Sequence, residues 1–164
     1  IAREKDLTVL ELPYTGARLS MLVLLPNDRE GLREVEKALS RAKIDLWLEG
    51  LQEQDVRVML PRFTLDSRMD LGKTLKAMGM SEAFNKKADF SGMTRDDGLF
   101  ISHVVHHAVI EVDEKGTEAT GAAAVTLKRK GGAFFNADHP FLFLIRDQRT
   151  GSLLFIGRVE NPQA

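Results

Sequence analysis

The chain of 164 residues contains no cysteine, which excludes disulfide bonds, thiolate metal ligands and a cysteine nucleophile. It also lacks an Asn-x-Ser/Thr acceptor for N-glycosylation. No apolar run approaches the roughly 20 residues that a membrane helix needs. Neither charge is in excess, since 23 Lys and Arg residues face 24 Asp and Glu residues for a net charge of −1. We therefore expect no nucleic-acid-binding surface and no membrane contact.

The composition that remains is typical of one globular domain. Hydrophobic residues make up 43% and charged residues 29% of the chain, which is enough apolar material for a buried core. The sequence begins at Ile1 rather than at a methionine. We expect that an N-terminal part is missing, so signal-peptide arguments do not apply.

Short apolar runs predict a fold rich in strands. The predicted strands lie at 7–12, 19–25, 56–60, 99–112, 141–145 and 153–156. The strand at 99–112 is unusually long, and the last two form a predicted hairpin whose strands are apolar on both faces, as in a buried sheet.

Helical spacing of apolar residues predicts three short helices between these strands. Leu32, Val35 and Leu39 mark the first, and residues 44–51 form the second. The third begins with Asp70 as its N-cap and ends at Gly79. Leu71, Leu75 and Met78 are expected to share one face of that helix.

Three histidines in the long predicted strand raise the question of a metal site. His103 and His107 lie about 13 Å apart in an extended strand, and His106 points to the opposite face. The three side chains therefore cannot converge on one ion, and we predict no metal site. We expect His106 to be a buried, hydrogen-bonded core residue.

Residues 114–132 (EKGTEATGAAAVTLKRKGG) break the surrounding pattern, with small residues followed by three cations. A surface helix capped by Thr117 is one interpretation, and a solvated charge run at Lys128 to Lys130 is another. A third interpretation comes from the alternation of residue types with a period of two. Thr117, Ala119, Gly121, Ala123, Val125 and Leu127 then share one small, apolar face, and the charges lie on the other. This pattern is typical of a strand with one side suited to burial.

Two motifs now identify a resemblance to a known family. Residues 114–119 (EKGTEA) resemble the hinge of a serpin reactive-centre loop, and residues 135–143 (FNADHPFLF) resemble the C-terminal signature of the serpins, a family of serine protease inhibitors. Further matches include residues 60–63, 88–93 and 105–109. The resemblance covers the whole chain, which corresponds to the last two-fifths of a usual family member.

The resemblance implies an α+β fold of mostly antiparallel β-sheets with surrounding helices. Residues 1–164 would form the C-terminal part of a single domain, with the reactive-centre loop at about 114–133. It also implies a mechanism in which the chain is an inhibitor and not an enzyme. A target protease attacks the loop as a suicide substrate and forms an acyl-enzyme, and the cleaved loop then inserts into the main sheet as a new strand.

The resemblance also assigns roles to individual residues. The hinge comprises Glu114, Gly116, Thr117, Glu118 and Ala119, and its small residues favour an inhibitory member. His106 matches the family histidine in the sheet-opening region. Arg62 matches a position that pairs with Glu114 at the top of the sheet in the family, and such a pair would hold the start of the loop in register.

Family spacing places the cleaved bond at Lys130–Gly131, with Arg129–Lys130 as the alternative. Either bond follows a cation, which suits the Asp-lined pocket of a trypsin-like serine protease; a subtilisin-like protease specific for dibasic pairs is the second choice. A non-inhibitory carrier, chaperone or storage protein remains the alternative function.

We expect no cofactor and a monomer formed together with the missing N-terminal part. Localisation is open: extracellular is the family default, and the absence of cysteine and of glycosylation acceptors is compatible with the cytoplasm.

Overall fold

A computed structural model describes residues 1–94, 98–113, 116–117 and 132–162. The chain divides into two compact units, one of residues 1–63 and 111–164 and one of residues 64–110. The strands are β1 (Ala2–Arg3), β2 (Leu7–Pro13), β3 (Leu19–Pro26), β4 (Val56–Met59), β5 (Phe63–Asp70), β6 (Val105–Asp113), β7 (Gly116–Thr117), β8 (Ala133–Asn136), β9 (Phe141–Asp147) and β10 (Leu153–Val159). The α-helices are α1 (Leu32–Ala38), α2 (Arg41–Glu49) and α3 (Gly72–Ala77).

The strands form three sheets in the described part of the chain. Their orders are β1-β2-β3-β9-β10, β4-β8 and β5-β6-β7. The pairs β1–β2, β2–β3, β3–β9, β9–β10 and β6–β7 are antiparallel, and the pair β4–β8 is parallel. The α+β expectation is confirmed, with few helices. No helix of the described residues is long and apolar enough to cross a membrane.

The core of the larger unit is the centre of the five-stranded sheet. β3 and β9 are neighbours there, and Val23 and Phe143 lie opposite each other with no exposed surface. Both strands are apolar at nearly every position, because both faces of the sheet are covered at this point. The predicted strands at 19–25 and 141–145 are confirmed.

Helices α1 and α2 cover one face of this sheet. Their apolar residues are those that helical spacing predicted, and Val35, Ile44 and Trp47 are all buried in one cluster with Leu22 and Leu24 of β3. Ser40 caps α2 by accepting a hydrogen bond from the Lys43 amide at 3.2 Å. Both predicted helices are confirmed.

The expectation that β10 is apolar on two buried faces is wrong. β10 is the edge strand, and Leu154, Phe155 and Ile156 are 49%, 40% and 57% exposed. Apolar sequence alone does not bury a strand, since burial requires something to pack against it. In the described residues β9 is the only strand paired with β10.

The smaller unit contains most of β5, helix α3 and the first part of β6. Helix α3 starts one residue later than an Asp70 cap requires, because Leu71 occupies the cap position. Asp70 still accepts a hydrogen bond from the Gly72 amide at 2.9 Å. Gly79 ends the helix with φ +99°, as predicted. Leu71 and Leu75 are half-buried and Met78 is 78% exposed, so burial along the predicted face does not extend to Met78.

Strand β6 begins at Val105, six residues later than predicted from the sequence. The preceding segment follows a different path, because the Ile101 amide donates to the carbonyl of Ala83 instead of to a strand partner. Within β6 the predicted alternation holds, since Ile110 and Val112 are buried and their odd-numbered neighbours are exposed.

Candidate functional site

The start of the candidate loop is the two-residue strand β7. Gly116 lies opposite Asp113 and Thr117 lies opposite Val112 in an antiparallel ladder with β6. Strand β5 occupies the other edge of β6. The backbone therefore reverses direction after β6 and returns along the edge that β5 does not use.

The far end of the candidate loop is held by β8 and β4. These strands pair in parallel with Val56 opposite Ala133 and Val58 opposite Phe135. The Ala133 amide donates to the carbonyl of Asp55 at 2.9 Å. A Cβ on Gly132 would lie only 2.7 Å from the same carbonyl oxygen, so only glycine fits where the chain enters β8.

The signature motif after β8 fixes the chain by hydrogen bonds and burial. Phe135 and Ala137 are each 2% exposed, and the Ala137 amide donates to the carbonyl of Met59 at 2.9 Å. His139 Nε2 donates to the carbonyl of Pro26 at 2.6 Å. The motif thus connects β8, the end of β3 and β9.

Asp138 completes this connection with two partners. Its Oδ1 lies 2.7 Å from His139 Nδ1, and its Oδ2 accepts from Arg29 Nη2 at 2.7 Å. The hydrogen bond with His139 is the main cause that lowers the pKa of the Asp138 carboxyl, and the positive charge of Arg29 lowers it further.

The predicted site residues are distributed differently from the expectation. His106 lies in β6 with an exposed side chain, so the expectation of a buried core histidine is wrong. Burial on its face of β6 decreases from Val112 and Ile110 toward His106, since in the described chain only the far end of that face is covered. Arg62 is exposed and directly precedes β5.

Several predicted site residues lie outside the described residues. They are Glu114, Glu118, Ala119, Arg129, Lys130 and Gly131. The expected pairing of Arg62 with Glu114 and both candidate bonds therefore stay predictions. Of the hinge, only the backbone of Gly116 and Thr117 is described.

The other two histidines of the cluster pair with carboxylates of β5. His107 Nε2 lies 2.7 Å from Asp66 Oδ1, and His103 Nδ1 lies 3.3 Å from Asp70 Oδ2. The Gly72 amide, followed by His103, lowers the pKa of the Asp70 carboxyl. In the described part of the chain no group of three His, Asp or Glu side chains is arranged to hold a metal ion.

Sequence reasoning missed the anchors at the end of the loop. The Gly132–Asp55 approach and the His139–Pro26 hydrogen bond join residues more than 70 positions apart. No local pattern reports such contacts. The signature motif marked the region without indicating which atoms it connects.

The whole described chain matches a known protein family. The family model "Serpin (serine protease inhibitor)" matches residues 1–162. The chain is 47% identical to "Probable serpin E3" of Danio rerio over 97% of its own length and 39% of that protein. It is 48% identical to "Serpin B8" of Bos taurus over 94% of the chain and 43% of that protein.

A third relative is the "Leukocyte elastase inhibitor" of Xenopus laevis, at 45% identity over 94% of the chain and 43% of that protein. The chain therefore spans about two-fifths of the length of the curated relatives that it matches.

Solved structures show the same similarity. Human thyroxine-binding globulin in complex with thyroxine has a TM-score of 0.83 and 36% identity, over 97% of this chain and 42% of that one. Uncleaved ovalbumin has a TM-score of 0.82 and 33% identity, over 96% of this chain and 40% of that one.

Proposed function

Because the chain belongs to the serpin family, we propose that the protein containing it inhibits serine proteases as a suicide substrate. The loop at about 114–133 is the bait, and its cleavage allows insertion beside β6. The observation that carries this proposal is the pairing of Gly116 and Thr117 with Asp113 and Val112.

Continuation of this ladder gives a specific register for insertion. Each step of two residues along the loop moves two residues back along β6, so Ala119 comes to lie opposite Ile110 and Gly121 opposite Ala108. Residues directly opposite each other in a ladder share one face. The small residues of the loop thus join the face on which Ile110 is buried.

The three consecutive cations at Lys128 to Lys130 determine which protease we expect as the target. Cleavage at Lys130–Gly131, or alternatively at Arg129–Lys130, presents a cation to the protease. An Asp-lined pocket of a trypsin-like enzyme accepts such a side chain, and a subtilisin-like enzyme specific for dibasic pairs is the second choice. One relative is named for leukocyte elastase, so family membership alone does not select the target.

A stable adduct with trypsin tests the proposal. The full-length protein is incubated with trypsin and resolved on a denaturing gel, with active-site-blocked trypsin as control. We expect a covalent adduct with active trypsin only, since an acyl bond survives denaturation. Complete cleavage of the loop without an adduct contradicts inhibition of this enzyme class.

A non-inhibitory carrier is the second candidate. The similarity to thyroxine-binding globulin, a protein named for binding a hormone, favours it. The melting temperature separates the two candidates, because insertion adds a strand and its hydrogen bonds to the sheet. We expect the melting temperature to rise after loop cleavage; an unchanged value favours the carrier.

A further inference from the structure

The larger unit contains a cavity of about 880 Å3 that lies far in sequence from the candidate loop. We infer that this cavity binds a small organic cation with an apolar body. Its volume lies within the range of about 300–1,000 Å3 typical of small-molecule sites. Its walls come from three places: the turn between β1 and β2, the segment from the end of β3 through α1, and helix α2.

The inner wall of the cavity is apolar. Leu7, Val35 and Trp47 line it and are 4%, 7% and 5% exposed. A nearly buried aromatic ring together with two aliphatic side chains offers an apolar ligand both contact area and removal from water.

The rim of the cavity is held in place by Asn27. The side-chain amide of Asn27 donates to the carbonyls of Glu4 and Lys5 at 3.1 and 2.9 Å, and its backbone amide donates to the carbonyl of Asp6 at 2.9 Å. Its Oδ1 accepts a hydrogen bond from the Thr8 hydroxyl. The rim is thus formed before any ligand binds, which reduces the entropy cost of binding.

The charge of the rim favours a cation. The lining contains four carboxylates, of Glu4, Asp6, Asp28 and Glu34, and the two ammonium groups of Lys5 and Lys43. Lys37 already pairs with Glu34 at 2.7 Å, which leaves three carboxylates against two cations. Asp6 and Asp28 lie on either side of Asn27, which connects their backbones. This side of the mouth is therefore acidic above an apolar floor.

Binding of three probes that share a phenylethyl body tests the inference. Phenylethylammonium, 2-phenylethanol and 3-phenylpropionate are titrated into the full-length protein by calorimetry. We expect affinity to decrease in that order, because the apolar body is the same and the head changes from a cation to a neutral hydroxyl to an anion. No binding of the ammonium at millimolar concentration, or equal or tighter binding of the carboxylate, overturns the proposal.

Two variants place the binding in this cavity. Ala38 is an exposed lining residue, so Ala38→Trp fills the mouth without disturbing the core, and we expect it to abolish binding of the ammonium. Ala42→Trp, at an exposed alanine of α2 outside the lining, is the matched control and should bind as the parent does. Equal binding by both variants overturns the location.

The double variant Asp6→Asn with Asp28→Asn tests the role of charge. We expect it to weaken the ammonium up to about tenfold and leave the alcohol unchanged, since each exposed charge pair is worth a factor of a few. Glu49→Gln with Glu53→Gln removes two exposed carboxylates outside the lining and is the matched control. An equal loss in both double variants overturns the assignment to Asp6 and Asp28. This inference does not rest on the proposed function, and because these residues lie outside the candidate loop we expect every variant to form the trypsin adduct as the parent does; failure of this inference and failure of the proposed inhibition are therefore separate results.

Discussion

Thr117 lies directly opposite Val112 in the ladder between β6 and β7, and Val112 is 6% exposed. In the proposed insertion, continuation of this ladder along β6 would place odd-numbered loop residues opposite even-numbered residues of β6. Ile110 and Val112 are the buried residues of that strand. The two faces of the proposed inserted strand therefore differ in what they tolerate.

A pair of neighbouring substitutions tests this difference. Ala119→Glu places a carboxylate opposite Ile110 on the buried face, whereas Thr120→Glu places the same group on the other face. Burial of an unpaired charge costs several kcal/mol, so we expect Ala119→Glu to be cleaved by trypsin without forming an adduct. Thr120→Glu should form the adduct as the parent does. Gel densitometry of adduct against cleaved protein measures the ratio, and equal ratios for the two variants contradict the register.

Two alanine substitutions distinguish the candidate bonds. Lys130→Ala should reduce the rate constant of adduct formation with trypsin by roughly 10²–10⁴-fold, since removal of one partner of a buried charge pair costs about 3–5 kcal/mol. Arg129→Ala should have a much smaller effect. Mass spectrometry of the released C-terminal peptide gives its first residue, which we expect to be Gly131. A peptide that begins at Lys130, with the larger rate loss in Arg129→Ala, establishes the alternative bond.

The close contact between Gly157 and Phe143 predicts that a larger residue at position 157 lowers the stability of the fold. They lie directly opposite each other in β10 and β9, and a Cβ on Gly157 would overlap the Phe143 ring. That ring is fully buried and packs against Phe63 with centroids 5.4 Å apart. We expect Gly157→Ala to lower the free energy of unfolding by about 1–3 kcal/mol.

Urea unfolding of the full-length protein measures this loss. Gly92→Ala is the matched control, because a Cβ there meets no atom within 4 Å. Similar stability of the two variants would mean that β10 moves away from Phe143 at little cost.

The environment of Asp147 predicts how the stability of the protein depends on pH. The backbone amide of Thr150, followed by the Arg18 guanidinium at 3.0 Å, lowers the pKa of this carboxyl from 3.8 to about 2. A lowered pKa in the folded state stabilises the protein above the unfolded value. The contribution is therefore complete above about pH 4 and is lost as the pH falls toward 2.

The Asp147→Asn variant should have a shallower loss of stability between pH 4 and 2 than the parent, measured by urea unfolding across that range. Arg18→Gln should remove less of the pH dependence, because the Thr150 amide contributes more than Arg18. A parent and an Asp147→Asn variant with the same slope would contradict the assignment to this carboxyl.

Local patterns predicted those elements whose residues carry their own signal. β3 and β9 are apolar at consecutive positions, and the pairs Leu32 and Val35 in α1 and Ile44 and Trp47 in α2 each have helical spacing, so the types of these elements were predictable. The alternation from Thr117 onward also indicated a strand; Gly116 and Thr117 form β7, and the strand beyond them stays a prediction. The pairing of Thr117 with Val112 follows from the structure alone.

The errors share a physical cause. His106 and the apolar residues of β10 were expected to be buried because of their sequence, but His106, Leu154, Phe155 and Ile156 are exposed in the described chain. Burial is a property of two surfaces, and a sequence pattern describes only one of them. The cavity lined by Trp47 was missed for the same reason, since its walls come from three separate segments.

The position of β9 between β3 and β10 has a consequence for the cleaved protein. Cleavage near residue 130 divides the chain into two polypeptides, and the shorter one contributes β9 and β10 to the five-stranded sheet. The pieces would stay associated through the hydrogen bonds between β9 and β3 and between β8 and β4, and through Phe141, Phe143 and Leu144, which have no exposed surface. Once unfolded, however, they would have to find each other again by diffusion. Recovery of the cleaved protein would then depend on its concentration, whereas that of the intact chain would not.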